Sequence, residues 1–216
     1  MNQFFKYASR HWDDMLMYVL QHIEMCGIAL GIGLLIAVLI SLLLIRFRAV
    51  KKPVVAVLGG LYAIPSMAFF SLLIPIFGLG MTDAIVALVV YCQFILVRNI
   101  LAAFQNTDQS IIEAAYGMGM SRMQVFKDVQ MPLAMPVIMS GIRIATISTI
   151  SSATIAETVN AGGLGVLLFQ GLRQLNNTKI IWGTILTAAL TLVINEILMK
   201  IEKYCQKKAR GELIKV

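Results

Sequence analysis

The residues able to do covalent or acid–base chemistry in this 216-residue chain are few and scattered. His11 and His22 have no Cys, Asp or Glu around them in a ligand-spaced pattern, so no metal site is expected. Cys26, Cys92 and Cys205 are too few and too dispersed for a disulfide framework, and two of them sit in apolar runs. No nucleophile–base constellation appears, so no catalytic residue is assigned and the chain is not expected to be an enzyme. It lacks a Gly-x-x-x-x-Gly-Lys-Ser/Thr phosphate loop, so any nucleotide-driven work must come from another polypeptide.

What stands out instead is a polar insert between apolar segments. Ser110 and Glu113 have capping-box spacing, so a short helix begins at Ser110 or at Asp108 just before it. Its apolar positions, Ile111, Ile112, Ala114, Ala115 and Met118, are too many for so short a helix to leave in water. Gly117 and Gly119 can end it, and Ser121 with Gln124 restarts a second helix. Pro132 then opens the next apolar segment, where its missing amide costs nothing. Such a hairpin either docks into a partner or packs on the chain's own helices; the residues alone leave both readings open.

The elements that carry this insert are written in the composition. The chain is 59% hydrophobic and 13% charged, with a mean hydropathy of +0.83, which suits an all-α polytopic membrane protein. Uncharged or nearly uncharged runs give five spans, at about residues 25–45, 53–77, 83–104, 131–156 and 180–199. The second is interrupted near Ile64-Pro65-Ser66 and turns at Phe77-Gly78-Leu79-Gly80. Arg143 lies inside the fourth span. The fifth ends at Glu196 and Lys200, spaced for an i,i+4 pair. No cleavable signal is visible. Residues 1–24 read instead as an amphipathic helix lying flat on the membrane, with Phe5, Ala8, Trp12, Met15, Val19 and Ile23 near one face.

Five spans put the termini on opposite sides. One side collects thirteen Lys and Arg residues, including Arg46, Arg48, Lys51, Lys52, Arg122 and the tail from Lys200 to Lys215; the other collects four. The rich side is expected to be cytoplasmic, with the N-terminus outside, residues 105–130 a cytoplasmic loop, and 203–216 a basic cytoplasmic tail. The net charge of +7 is thus an orientation signal rather than a sign of nucleic-acid binding.

Glu113-Ala114-Ala115, then Gly119, then Val129-Gln130-Met131-Pro132 keep the spacing of the EAA motif, and the chain resembles the permeases of ATP-binding-cassette importers. The resemblance spans roughly residues 12–205. It implies the type I importer permease fold, like that of methionine importers, in a bacterial inner membrane. It also implies that residues 108–128 are a coupling helix seated in an ATPase subunit, with Glu113, Ala114, Ala115, Tyr116, Gly117, Met118, Gly119 and Arg122 at the contact. The implied partners are cytoplasmic ATPase subunits, a second permease copy or a related permease, an extracytoplasmic substrate-binding protein, and membrane lipid. The partner ATPase would use ATP and Mg; this chain would bind no cofactor. Leu20-Gln21-His22-Ile23, Ala63-Ile64-Pro65-Ser66 and Ala161-Gly162-Gly163-Leu164-Gly165 resemble the osmoprotectant branch, which imports glycine betaine, carnitine or choline. A quaternary ammonium is best held by aromatic faces, so some of Tyr62, Phe69, Phe70, Tyr91 and Phe94 are expected along the pathway, with Ser66 at the break beside them; ordinary core or lipid contact is the alternative for each ring. Arg143 either meets a substrate carboxylate in that pathway or is a structural arginine that snorkels or binds backbone carbonyls. An importer of methionine or another amino acid is the nearest alternative. An ion-coupled carrier or channel is the rival class, but the spans hold no acids away from their ends.

Overall fold

The computed structural model describes residues 2–212, with side chains from residue 4 onward; residues 213–216, Lys215 among them, lie outside the described residues. Among the described residues every regular element is helical.

A short helix α1 (Asn2–Arg10) breaks at His11 before α2 (Trp12–Arg46) begins. At 35 residues α2 is about 52 Å long, well beyond the roughly 30 Å hydrocarbon core. The segment expected as one amphipathic helix over residues 1–24 is divided at His11, and residues 12–24 are continuous with the first apolar run in one helix. No glycine or proline interrupts that stretch, and Met15, His22 and Met25 bury themselves against later helices. The ring of Phe4 stacks on Trp182 at 4.4 Å, and the Trp182 indole N–H donates to the Phe4 carbonyl at 3.1 Å, which ties α1 to the start of the last helix.

Helices α3 (Lys51–Ala63) and α4 (Ser66–Phe77) meet at 98° across Ile64 and Pro65. The clash of a proline ring with its predecessor pushes Ile64 into an extended conformation (ψ 132°), which stops α3. Beyond the Phe77–Gly80 turn, α5 (Met81–Gln105) runs through the centre of the molecule. Next comes α6 (Gln109–Gly117), and then a single continuous helical stretch, Arg122–Ala153. That stretch starts as α7 (Arg122–Gln124), widens to π geometry over Val125–Gln130 and continues as α8 (Met131–Ala153). Pro132 therefore does not open a helix, as the sequence suggested. It lies within one, and the wider preceding turn accommodates the missing proline amide. A loop leads to α9 (Gly165–Arg173), and α10 (Asn177–Ala209) closes the chain.

Among the described residues, four helical stretches are long and apolar enough to cross a membrane, and the bent α3–α4 pair supplies a fifth crossing if counted as one. The protein is a multi-pass membrane protein. Among the described residues the two largest core clusters are strung along α5, and a smaller one joins Met15 to Leu164 and Leu167. Met25, Cys26, Ala29, Phe69, Phe70, Leu88 and Ile150 surround the first half of α5, and Ala37, Leu44, Leu96, Val97, Leu101 and Ala145 surround the second. Lipid tails are as apolar as leucine, so close backbone approach and interhelical hydrogen bonds hold such helices together. Both devices meet at Gly33 of α2, which packs on Cys92 and accepts a 3.0 Å hydrogen bond from the Gln93 amide of α5. By contrast α10 buries only Gly183 and exposes Ile181, Ile185, Leu192, Val193 and Ile197. Because α10 continues to Ala209, Glu196 and Lys200 are not at its end. No ion pair joins them among the described residues.

Candidate functional site

The hairpin is built by its caps. The Asp108 carboxylate accepts from the Ser110 amide at 2.9 Å and from the Ser110 hydroxyl at 2.8 Å, so the first helix starts at the earlier of the two expected positions. Those two bonds, the backbone one first, hold the Asp108 carboxyl below the usual carboxylate range. After Gly117 the chain turns at Gly119, whose φ of +82° suits glycine; a β-carbon there meets no neighbour, so its constraint is purely conformational. Ser121 and Gln124 then cap each other reciprocally, at 2.8 and 3.4 Å.

Between the two limbs lies a miniature core of Ile112, Ala115 and Val125, flanked by Met120 and Val129. This corrects the placement of Ala115 on the contact face. At 1% exposure it holds the hairpin together from within. Glu113, Ala114, Tyr116, Gly117, Met118, Gly119 and Arg122 are exposed. The outward apolar surface is large for so small an element: Met118 is 76% exposed and Met123 71%, with Ile111 and Tyr116 beside them. Met123 was missed in the sequence. Its signal is that an apolar side chain in the first turn of so short a helix has no interior to enter. The ring of Phe126 stacks on Phe104 at 5.7 Å, which fixes the return limb to the end of α5.

A second arrangement joins two motifs that the sequence holds 142 residues apart. The Gln21 side-chain oxygen accepts from the Gly163 amide at 3.1 Å, and His22 Nδ1 accepts from the Leu164 amide at 3.3 Å. The other His22 nitrogen lies 3.1 Å from the Ile150 carbonyl, which has only lone pairs to offer, so Nε2 carries the proton and His22 is a neutral bridge. Fully buried, it links α2, α8 and the glycine loop. Gly163, at φ +75°, brings its α-carbon so close that a β-carbon would sit 3.0 Å from His22 Nδ1. Each motif is readable alone; their meeting is visible only in three dimensions.

Around the Pro65 break the aromatic rings form one connected group. Tyr62 lies 5.9 Å from Tyr91 and 5.3 Å from Phe94, and Phe69 lies 5.1 Å from Tyr91. Tyr91 is buried, and its hydroxyl is spent on the Ile64 carbonyl at 2.7 Å, bracing the carbonyl that α3 leaves free at the break. Phe70 is fully enclosed by the first core cluster. Neither presents a free surface here, because packing of the α4–α5 contact claims both. Tyr62, Ser66 and Phe94 keep accessible surface, and the Arg98 guanidinium already lies 5.8 Å from the Phe94 ring centre.

Arg143 spans from α8 to α10. Its Nε donates to Glu202 at 2.9 Å and a terminal nitrogen donates to Asn195 at 3.3 Å. The charge is therefore answered within the chain. A charged hydrogen bond of this kind contributes about 1.5–3 kcal/mol. Arg143→Gln and Glu202→Gln should each lower unfolding stability in detergent by that order, and the double variant should lose little more. Losses that simply add would show that the two side chains do not act as a pair.

The fold and the hairpin define the inner-membrane component of an import system. Residues 25–211 match the family described as the binding-protein-dependent transport system inner membrane component, and the chain belongs to that family. It is 34% identical over 199 residues to the carnitine transport permease protein OpuCB of Listeria monocytogenes, covering 92% of this chain and 91% of the relative. It is 31% identical over 203 residues to the choline transport system permease protein OpuBB of Bacillus subtilis (strain 168), covering 94% of each. Among solved structures, a chain of the MetNI methionine ABC transporter, from a study of its inward-facing conformations, superposes with a TM-score of 0.80. It is 23% identical and covers 88% of this chain and 95% of that one. At that identity the likeness establishes the fold: a type I importer permease.

Proposed function

We propose that this chain is the membrane-spanning subunit of an ATP-driven importer and forms the pathway for a quaternary ammonium osmoprotectant such as carnitine, choline or glycine betaine. The observation that carries the transport reading is the hairpin's capped fold and outward apolar face, Tyr116, Met118 and Met123 beside Glu113 and Arg122, which a monomer in water would not keep bare. The names of the relatives support the substrate class. The reading assigns the hairpin to a cytoplasmic ATPase that uses ATP and Mg, and supply of substrate to an extracytoplasmic binding protein. The pore is completed by a second copy of this chain or a related permease. The experiment is reconstitution of the permease with its ATPase and binding protein in liposomes. ATP-dependent uptake of labelled carnitine, choline or betaine is expected. Uptake of methionine alone would favour the amino-acid reading, and uptake driven by an ion gradient without ATP would overturn the importer.

For the pathway, Tyr62 is the aromatic with both exposed surface and a place beside the α3–α4 break. A ring face contributes about 0.5–2 kcal/mol to a quaternary ammonium, so Tyr62→Ala should reduce uptake of low substrate concentrations several-fold, while Tyr62→Phe should be nearly silent. Unchanged uptake in Tyr62→Ala would remove Tyr62 from the pathway.

The basic asymmetry supports an extracytoplasmic N-terminus. A cysteine replacing exposed Ser9 should react with an impermeant maleimide in intact cells, whereas native Cys205 should react only after permeabilisation. The opposite labelling would invert the topology.

A further inference from the structure

Where α2, α5 and the hairpin come together, the molecule leaves a cavity of about 520 Å³. Its lining has two characters. Arg48, in the turn after α2, and Lys51, at the start of α3, stand with the amides of Gln105 and Gln130; Leu42 and Ile45 of α2 and Phe104 of α5 supply an apolar side. Neither Arg48 nor Lys51 forms an ion pair among the described residues. The cavity therefore carries two uncompensated positive charges against a hydrophobic wall, at the end of a membrane span. Leu42 and Ile45 are themselves exposed on the outer side of α2, so the wall is continuous with the surface that lipid covers.

We propose that this cavity binds the phosphate headgroup of an anionic phospholipid, with Arg48 and Lys51 facing the phosphate and the end of α2 guiding the first carbons of an acyl chain. A free phosphate has the same headgroup chemistry, but it has no use for the apolar wall. An acidic side chain of a partner protein is the other negative group two such cations could meet, yet it too would leave that wall empty. The amides of Gln105 and Gln130 can donate to the phosphate or glycerol oxygens left free by the two cations. Ile112 and Phe126, on the hairpin side of the same cavity, place the bound headgroup against the element assigned to the ATPase. The inference rests on that assignment only for its consequence, not for the binding itself.

The test uses the purified full-length permease, without ATPase, binding protein or substrate, so that its outcome is independent of import. Native mass spectrometry would follow retention of phosphatidylglycerol against phosphatidylcholine of the same chain length. Phosphatidylglycerol should be held preferentially. Arg48→Gln with Lys51→Gln should weaken that retention roughly thirtyfold, on the usual attraction of an interfacial cation for anionic lipid. Gln105→Glu leaves every basic residue, and hence the insertion signal, in place; it should also release the lipid by setting a like charge beside the phosphate. Equal retention of the two lipids, or variants that bind as the native chain does, would overturn the site. Full displacement of the lipid by millimolar inorganic phosphate would assign the cavity to a free anion instead. In a separate copurification with the ATPase in lipid-free detergent, loss of its retention by the double variant would assign the cavity to the partner protein.

Discussion

A permease carrying Met118→Glu is expected to reach the membrane in normal amounts and to lose its ATPase. Met118 is 76% exposed at the tip of the hairpin and contributes nothing to its interior core, so a charge there leaves the fold intact. If the tip is seated in a protein cleft, the same charge must be desolvated without a partner, at a cost of several kcal/mol. Since every 1.4 kcal/mol is a factor of ten, retention of the ATPase on copurification should fall about a hundredfold, and uptake with it. Ala115→Asp gives the informative contrast. Ala115 is buried beside Ile112 and Val125, so a carboxylate there should unpack the hairpin itself and expose it to protease even with no ATPase present. Normal ATPase retention by Met118→Glu would displace the coupling site from the hairpin.

The other large effect is expected at the glycine loop. A β-carbon on Gly165 would strike the Thr154 carbonyl oxygen and come within 3.0 Å of the Glu157 β-carbon. The first of these is backbone and cannot rotate aside. Overpacking of this kind costs about 1–3 kcal/mol or more, so Gly165→Ala should sharply lower the melting midpoint in detergent and the yield of monodisperse protein. His22→Ala should act on the same joint by a different route. It leaves the Leu164 amide and the Ile150 carbonyl buried without partners, at about 1–3 kcal/mol for each group. A Gly165→Ala protein as stable as the native one would show that the loop and the Thr154 segment are not held in contact.

The spans could be read because lipid imposes long apolar runs, and the hairpin because capping residues act locally: Asp108, Ser121 and Gln124 do what their side chains do in any chain. What escaped the sequence was decided by partners distant along the chain. Ala115 has the size of an interface residue and the environment of a core one, and only the return of Val125 distinguishes the two. Arg143 looked available because Glu202 lies 59 residues away, on a helix turn that appeared to be past the membrane. Tyr91 offers a hydroxyl on paper, but the break that made it interesting also leaves the Ile64 carbonyl free to take that hydroxyl. The break at His11 was not legible because an amphipathic pattern does not reveal where one helix stops and the next turns into the bundle.

The unbroken Arg122–Ala153 stretch gives the molecule a lever. Its 32 residues make a rod of about 48 Å, with the hairpin's return limb at one end and Ile150, which anchors His22 and through it the glycine loop, near the other. A tilt of about 5° displaces one end by about 4 Å relative to the other over that length. On the proposed coupling role, small travel at the hairpin end would thus arrive amplified at the far side. The wide π turn at Val125–Gln130 and the interior Pro136 just beyond it both lie near the hairpin end, where a compliant coil can serve as fulcrum for the longer arm that follows.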